Sequence, residues 1–185
     1  SNLLPRESIN LVRFKISPFG RNDTGAVSSV YKQVSLFCCR SNAYVGRQNN
    51  GGTLKAKVYI ETSVISYLTA RPNNDIRAAA NQNVTLEWWE TQRPKFDLLI
   101  SEFVIAEVSF GHPEAAQRRL AAIADILELQ ATEEVRALGQ ELIRHNALPA
   151  RAEIDAYHVA IAAVNGIEYL LTWNCAHIAN ARTRP

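Results

Sequence analysis

The 185-residue chain predicts an α/β fold with a mostly parallel central sheet, preceded by an irregular basic leader. Three observations lead there. After residue 54, short β-rich runs alternate with helical patterns, the rhythm of a sheet whose strands are joined by crossover helices. A hydrophobic content of 47% supports a core and argues against disorder along the whole chain. The net charge of +2 is unevenly divided: residues 1–54 hold seven Lys or Arg against two acids, net +5, and residues 55–185 hold 13 basic and 16 acidic groups, net −3.

Residues 1–54 lack helical periodicity and are broken by Pro5, Pro18, Gly20, Gly25, Gly46, Gly51 and Gly52, and Gln48–Thr53 reads as a linker. We therefore expect 1–54 to stand outside the fold, disordered or not native to it, and 55–185 to form the domain. The chain contains no methionine, so Ser1 is not expected to be the natural start. No run approaches the roughly eighteen apolar residues of a membrane helix, and residues 1–15 lack the apolar stretch of a secretory signal. Cys38, Cys39 and Cys175 have neither CxxC nor HxxxH spacing for zinc and read as thiols of a reducing compartment. A cytoplasmic location with no membrane contact is the expectation.

The elements of the second part follow in order. Lys57–Ile60 is a first strand, stopped at Glu61-Thr62-Ser63, and Val64–Leu68 begins a short helix ended by Arg71-Pro72-Asn73-Asn74. Asp75 suits the cap of a helix with Ile76, Ala80, Val84 and Trp88 on one face. Trp88 and Trp89 diverge by roughly 100° on that helix, so at most one enters the core. Phe96–Ser101 is a second strand, and Glu102–Phe110 a helical segment ended by Gly111. Pro113 opens the next helix, with Leu120, Ile123 and Leu127 on its apolar side, and Leu127–Gln130 is a short third strand. Thr132 caps a helix whose inward residues are Val135, Leu138 and Leu142, with Glu133 and Glu134 favoured by the dipole in its first turn. After the Asn146–Pro149 loop, Arg151–Asn165 is an Ala-rich helix ended by Gly166, and Glu168–Thr172 is the last strand.

Ligands of such folds sit beyond the C-terminal ends of the strands, which makes the positions of four polar residues informative. Glu61 directly follows the first strand. Glu107 lies six residues beyond Ser101. Asp155 sits early in the Ala-rich helix beside buried-type residues, where an unpartnered acid is costly, and Asn174 follows Thr172 by two residues. Four groups from distant segments would meet at one sheet edge, and clustered carboxylates need cations. Hard oxygen ligands point to Mg²⁺ or Mn²⁺.

The segments Val58-Tyr-Ile-Glu61-Thr-Ser-Val-Ile65, Ile100-Ser-Glu-Phe-Val-Ile-Ala-Glu107, Asp155-Ala-Tyr-His-Val-Ala-Ile-Ala-Ala163 and Tyr169-Leu-Leu-Thr-Trp-Asn174-Cys-Ala-His177 together resemble the four motifs of PIN-domain nucleases, most closely the VapC-type toxins of toxin–antitoxin pairs. The resemblance covers about residues 57–180. It implies a three-layer α/β/α sandwich, a divalent-metal-dependent endoribonuclease activity on RNA and a small antitoxin protein as partner; a homodimer, through whichever of Trp88 and Trp89 stays outside the core, is a further option. It also implies a further helix and strand, whereas the chain ends eleven residues after Asn174, so a C-terminal truncation is expected.

Two departures from the family pattern stand out. Glu61 occupies a position usually held by Asp, and Asn174 one usually held by an acid, so full ionisation gives the cluster −3 in place of −4. One metal is therefore expected on the free protein, a second arriving, if used, with RNA. Glu61, Glu107 and Asp155 would hold the metal, and Asn174 would assist through its carbonyl. The bound ion would activate and align a water and stabilise the departing oxygen.

The auxiliary residues keep two readings each. Thr62, Ser63 and Thr172 either orient metal waters or a phosphate oxygen, or terminate strands and cap helices. His158 shares a face with Asp155 and either supports the site or RNA, or is simply bonded to a carboxylate. His177 and Asn180 bind phosphate or tie down the loop, and Trp173 stacks on a base or packs. The acidic domain is not a typical non-specific nucleic-acid binder, so RNA contact would rest on a local patch such as Arg71, Arg77, Arg93 and Lys95. Against the nuclease stands a degenerate module that binds RNA or a protein without cleaving it. A haloacid-dehalogenase-type phosphatase is disfavoured because its nucleophile is an Asp where this chain has Glu61.

Overall fold

A computed structural model describes residues 55–179, together with the strand segments 10–14, 34–38, 48–49 and 52–53. In chain order the strands are β1 (Asn10–Phe14), β2 (Val34–Cys38), β3 (Gln48–Asn49), β4 (Gly52–Thr53), β5 (Ala56–Ile60), β6 (Phe96–Ser101), β7 (Leu127–Leu129) and β8 (Tyr169–Thr172). The helices are α1 (Thr62–Thr69), α2 (Ile76–Thr91), α3 (Glu102–Val108), α4 (Pro113–Ala122), α5 (Glu133–Arg144) and α6 (Glu153–Val164), with single 3-10 turns at Arg93–Lys95 and Ala150–Ala152.

The main sheet runs in the order β2-β1-β8-β5-β6-β7. Its β8, β5, β6 and β7 strands are parallel, as crossover helices require. Within the leader, which the sequence leaves out of the fold, β1 pairs antiparallel with β8 and β2 antiparallel with β1, while β3 and β4 form a separate two-stranded ladder. Successive residues of a strand face opposite sides, yet Val58, Tyr59 and Ile60 are all fully buried. Both faces of the sheet are therefore covered, which gives three layers. Leu170 and Leu171 repeat the pattern in β8, and Ile65, Val104, Leu142 and Ile161 fill the space between sheet and helices.

The helix ends are set where local chemistry sets them. Asp75 caps α2 by accepting from the Ala78 amide at 2.9 Å, and Thr132 caps α5 through the Val135 amide. Gly166 ends α6 with φ +62°, a left-handed conformation that a Cβ disfavours. Trp88 is buried and Trp89 half-buried beneath the Arg93 guanidinium, so only one of the pair is in the core.

Two faces differ from expectation. Ile76 is 81% exposed, and the buried line of α2 is Gln82, Thr85 and Trp88. Gln82 is inside because its side chain closes the preceding loop, donating to the Arg71 carbonyl at 2.9 Å and accepting from the Asn73 amide at 3.2 Å. Leu127 is 65% exposed and Leu120 is also exposed, leaving Ala116 and Ile123 as the buried residues of that segment. Leu127 lies in β7, the edge strand of the sheet among the described residues, with a neighbouring strand on one side only. No helix among the described residues is long and apolar enough to cross a membrane.

Candidate active site

The C-terminal ends of β5, β6 and β8 lie side by side, and each delivers polar groups to the same edge. The Glu61 amide donates to the Leu171 carbonyl at 3.0 Å, carrying the β5–β8 pairing one residue past the strand. Glu61 is also the N-cap of α1. Its longer side chain curls back to accept from the Ser63 amide at 3.0 Å, from the Ser63 hydroxyl, and from the Thr172 hydroxyl at 2.7 Å. Thr172 and Ser63 are in turn acceptors, for the amides of Asn174 (2.8 Å) and Trp173 (2.9 Å). A carboxylate only 5% exposed is thus held by neutral donors.

Glu107 enters from the last turn of α3. Its Oε2 accepts from the Thr62 hydroxyl at 2.5 Å and lies 2.9 Å from His158 Nε2. Burial alone would push its carboxyl up, but the hydrogen bond and charge of His158, with the Thr62 hydroxyl, outweigh that and leave it below the ordinary carboxylate range. Behind Glu107 the chain of bonds continues inward: His158 Nδ1 is 2.7 Å from the Tyr59 hydroxyl, which is 2.6 Å from Ser101 Oγ. His158, Tyr59 and Ser101 are completely buried. Burial pushes the Tyr59 phenol up, against the Ser101 hydrogen bond and with the help of the negative Glu61 and Glu107, so it stays protonated.

Asp155 is held differently. Its Oδ1 accepts from Asn174 Nδ2 at 2.9 Å and its Oδ2 lies 2.7 Å from His177 Nδ1. The Asn174 carbonyl, assigned from sequence to assist an ion, accepts from the His177 amide at 3.1 Å. The path from Asp155 through Asn174 and Thr172 to Glu61 is nonetheless unbroken, which joins three of the four sequence-predicted residues, while Glu107 belongs to a separate set of bonds through Thr62 and His158.

Among the described residues, Glu61, Glu107 and His158 each offer a possible ligand atom within 4.8 Å of the others. The salt bridges of the described residues include no Lys or Arg on Glu61, Glu107 or Asp155. Two neighbouring carboxylates with no Lys or Arg between them fit a hard divalent cation. Glu107, with a side chain 37% exposed, leaves the edge open to solvent. A cleft of about 730 Å³ at the opposite, N-terminal end of the strands is lined by Lys55, Lys57, Asp97 and Leu127 and includes none of these groups.

The auxiliary residues resolve into named contacts. Thr62, Ser63 and Thr172 serve carboxylates, His158 is bonded to Glu107, and His177 fastens the loop to Asp155. Trp173 donates its indole N–H to Thr85 Oγ1 at 2.9 Å and meets Tyr67 edge-on, a packing role. Asn180 lies outside the described residues. Of the suggested basic patch, Arg71 pairs with Glu114, Arg93 with Asp125, and Lys95 bonds Gln92. Sequence reasoning missed Tyr59 and Ser101. The available signal was a tyrosine between Val58 and Ile60 in a strand covered on both faces, whose hydroxyl must find a partner.

The family model for the PIN domain matches residues 58–174. A crystal structure of Mycobacterium tuberculosis VapC20, described as a sarcin–ricin loop cleaving toxin, is similar over 60% of this chain and 84% of that one, with 21% identity and a TM-score of 0.47. No match was found among curated proteins.

Proposed function

The chain belongs to the PIN domain family, and from that premise we propose that it is a divalent-metal-dependent endoribonuclease, a toxin of the toxin–antitoxin kind. The observation that carries this reading is the pair Glu61, just past β5, and Glu107, in the last turn of α3, with possible ligand atoms within 4.8 Å and without a Lys or Arg partner among the described residues. Glu61, Glu107 and Asp155 hold Mg²⁺ or Mn²⁺, and RNA is the substrate. When bound, the ion supplies Lewis-acid activation of water and stabilisation of the leaving oxygen.

The chain's own residues do the rest by position. Ser63 and Thr172 fix the rotamer of Glu61, and Thr62 and His158 fix that of Glu107, so both carboxylates are pre-oriented and lose little freedom when a ligand arrives. Asn174 and His177 aim Asp155. A small antitoxin covering this edge would block RNA access, and the setting for both is cytoplasmic.

A second reading, a PIN module that binds RNA or protein without cleavage, is favoured by one observation: both Asp155 oxygens already have protein partners. One assay separates the two. The full chain is incubated with RNA and Mn²⁺ beside Glu107→Gln and Asp155→Asn. Cleavage by the parent, reduced at least roughly 100-fold in both variants, supports the nuclease. Equal cleavage by all three means a contaminant, and binding without cleavage selects the second reading.

A further inference from the structure

Tyr59 and Ser101 hydrogen-bond to none of the site's three carboxylates, yet they sit directly behind the histidine that does bond Glu107. His158 Nε2 faces a carboxylate oxygen at 2.9 Å, and a lone pair there would repel it, so Nε2 must carry a proton. Its other nitrogen faces the Tyr59 hydroxyl at 2.7 Å, a group that can donate to a bare nitrogen or accept from a protonated one. Ser101 completes the line from the far side at 2.6 Å, able to give or take the remaining hydrogen bond. All three are fully buried, so no water competes for these bonds. Phe103 meets the imidazole edge-on at 6.3 Å and limits its rotation from the side.

We propose that Tyr59 is a positioning residue: backed by Ser101, it holds the His158 ring with Nε2–H committed to Glu107, so that His158 orients the carboxylate and does not itself bind the ion. This rests on the proposed function for the identity of the ion, and not for the relay itself. His158 belongs to the three groups close enough to share a cation. As a ligand, its Nε2 would have to give up the proton that Glu107 accepts. With the relay intact, Glu107 Oε2 is held by Thr62 and His158 together, and Oε1 carries no protein hydrogen bond among the described residues, leaving it for the ligand.

The test uses the full chain and its Tyr59→Phe and Ser101→Ala variants. Nitrogen NMR of the metal-free, histidine-labelled parent is expected to show His158 protonated at Nε2, and Tyr59→Phe to keep that proton but show a broadened imidazole signal from a ring no longer held at Nδ1. Mn²⁺ titration is expected to weaken roughly tenfold in Tyr59→Phe and less in Ser101→Ala. Electron spin-echo spectroscopy of the Mn²⁺-loaded parent is expected to show no directly bound histidine nitrogen. A parent protonated only at Nδ1, an unchanged Mn²⁺ affinity in Tyr59→Phe, or a nitrogen coupling that His158→Gln abolishes would each overturn the proposal. If the parent binds no Mn²⁺, the proposed function fails, and the tautomer measurement alone decides the relay. Should Tyr59→Phe not fold, the parent's tautomer and the Ser101→Ala titration still decide it.

Discussion

Thr62 and Ser63 are consecutive residues in the first turn of α1, yet their hydroxyls serve different carboxylates, Thr62 donating to Glu107 and Ser63 to Glu61. Neighbouring helix positions diverge by roughly 100°, so a dipeptide placed just after a strand can reach acids on both sides of it. The pair therefore acts as a spacer that fixes how far apart the two carboxylates stand.

A double-mutant cycle on this pair separates structure from ligand binding. Thr62→Val and Ser63→Ala are each expected to cost about 1 kcal/mol of stability, and to do so additively in the metal-free protein. In Mn²⁺ affinity the same two changes are expected to couple, because both carboxylates face one ion. Additive losses in affinity would show that the acids bind separate ions.

Asn174→Asp replaces the amide that donates to Asp155 with a second carboxylate 2.9 Å away. The metal-free variant is expected to lose about 1–3 kcal/mol, since a hydrogen bond becomes a like-charge contact. Saturating Mn²⁺ is expected to recover most of the loss. Thermal melts with and without the ion check this, and a variant equally stable in both conditions would contradict it.

Acid stability is expected to depend on Glu107. Its native carboxyl is lowered from the ordinary 4.5, so its ionised form favours the folded state. That contribution is fully present above 4.5 and fades as pH falls through the lower native value. Glu107→Gln lacks it, and urea denaturation should show a shallower fall in stability below about pH 4.5 than in the parent.

Gly139 lies where α5 meets α6, and a Cβ there would overlap the Tyr157 ring. That ring is stacked on Phe103 at 5.2 Å and tied through its hydroxyl to Glu153. Alanine would gain about 1 kcal/mol of helix propensity and lose about 1–3 kcal/mol to overpacking. A lower melting temperature for Gly139→Ala is the expected outcome, although the change is to a better helix former.

The α/β class and the parallel strands were legible because alternating β-rich and helical runs report topology directly. Glu61, Asp155 and Asn174 could be placed from sequence because each falls just beyond a strand end or at a helix start, and Glu107 because the short helix after β6 carries it back to the same sheet edge. What those residues bond to was not. Glu61 as an N-cap departs from the usual Ser, Thr, Asp or Asn, and it bonds Ser63 and Thr172 together. The Tyr59–His158 contact joins residues 99 apart across two elements, and no local pattern encodes such a pair. Ile76 misled because four-residue spacing defines a stripe but not where on the helix packing begins.

The β8 strand sits between β1 and β5, and the Thr172–Glu61 bond spans 111 residues. During synthesis the ribosome releases Glu61 and Glu107 well before Asp155, Thr172, Asn174 and His177. A chain made only as far as Glu107 owns the first two acids but has neither the hydroxyl that steadies Glu61 nor the groups that aim Asp155. Translation order thus delays assembly of the site until the segment carrying Thr172, Asn174 and His177 has been made.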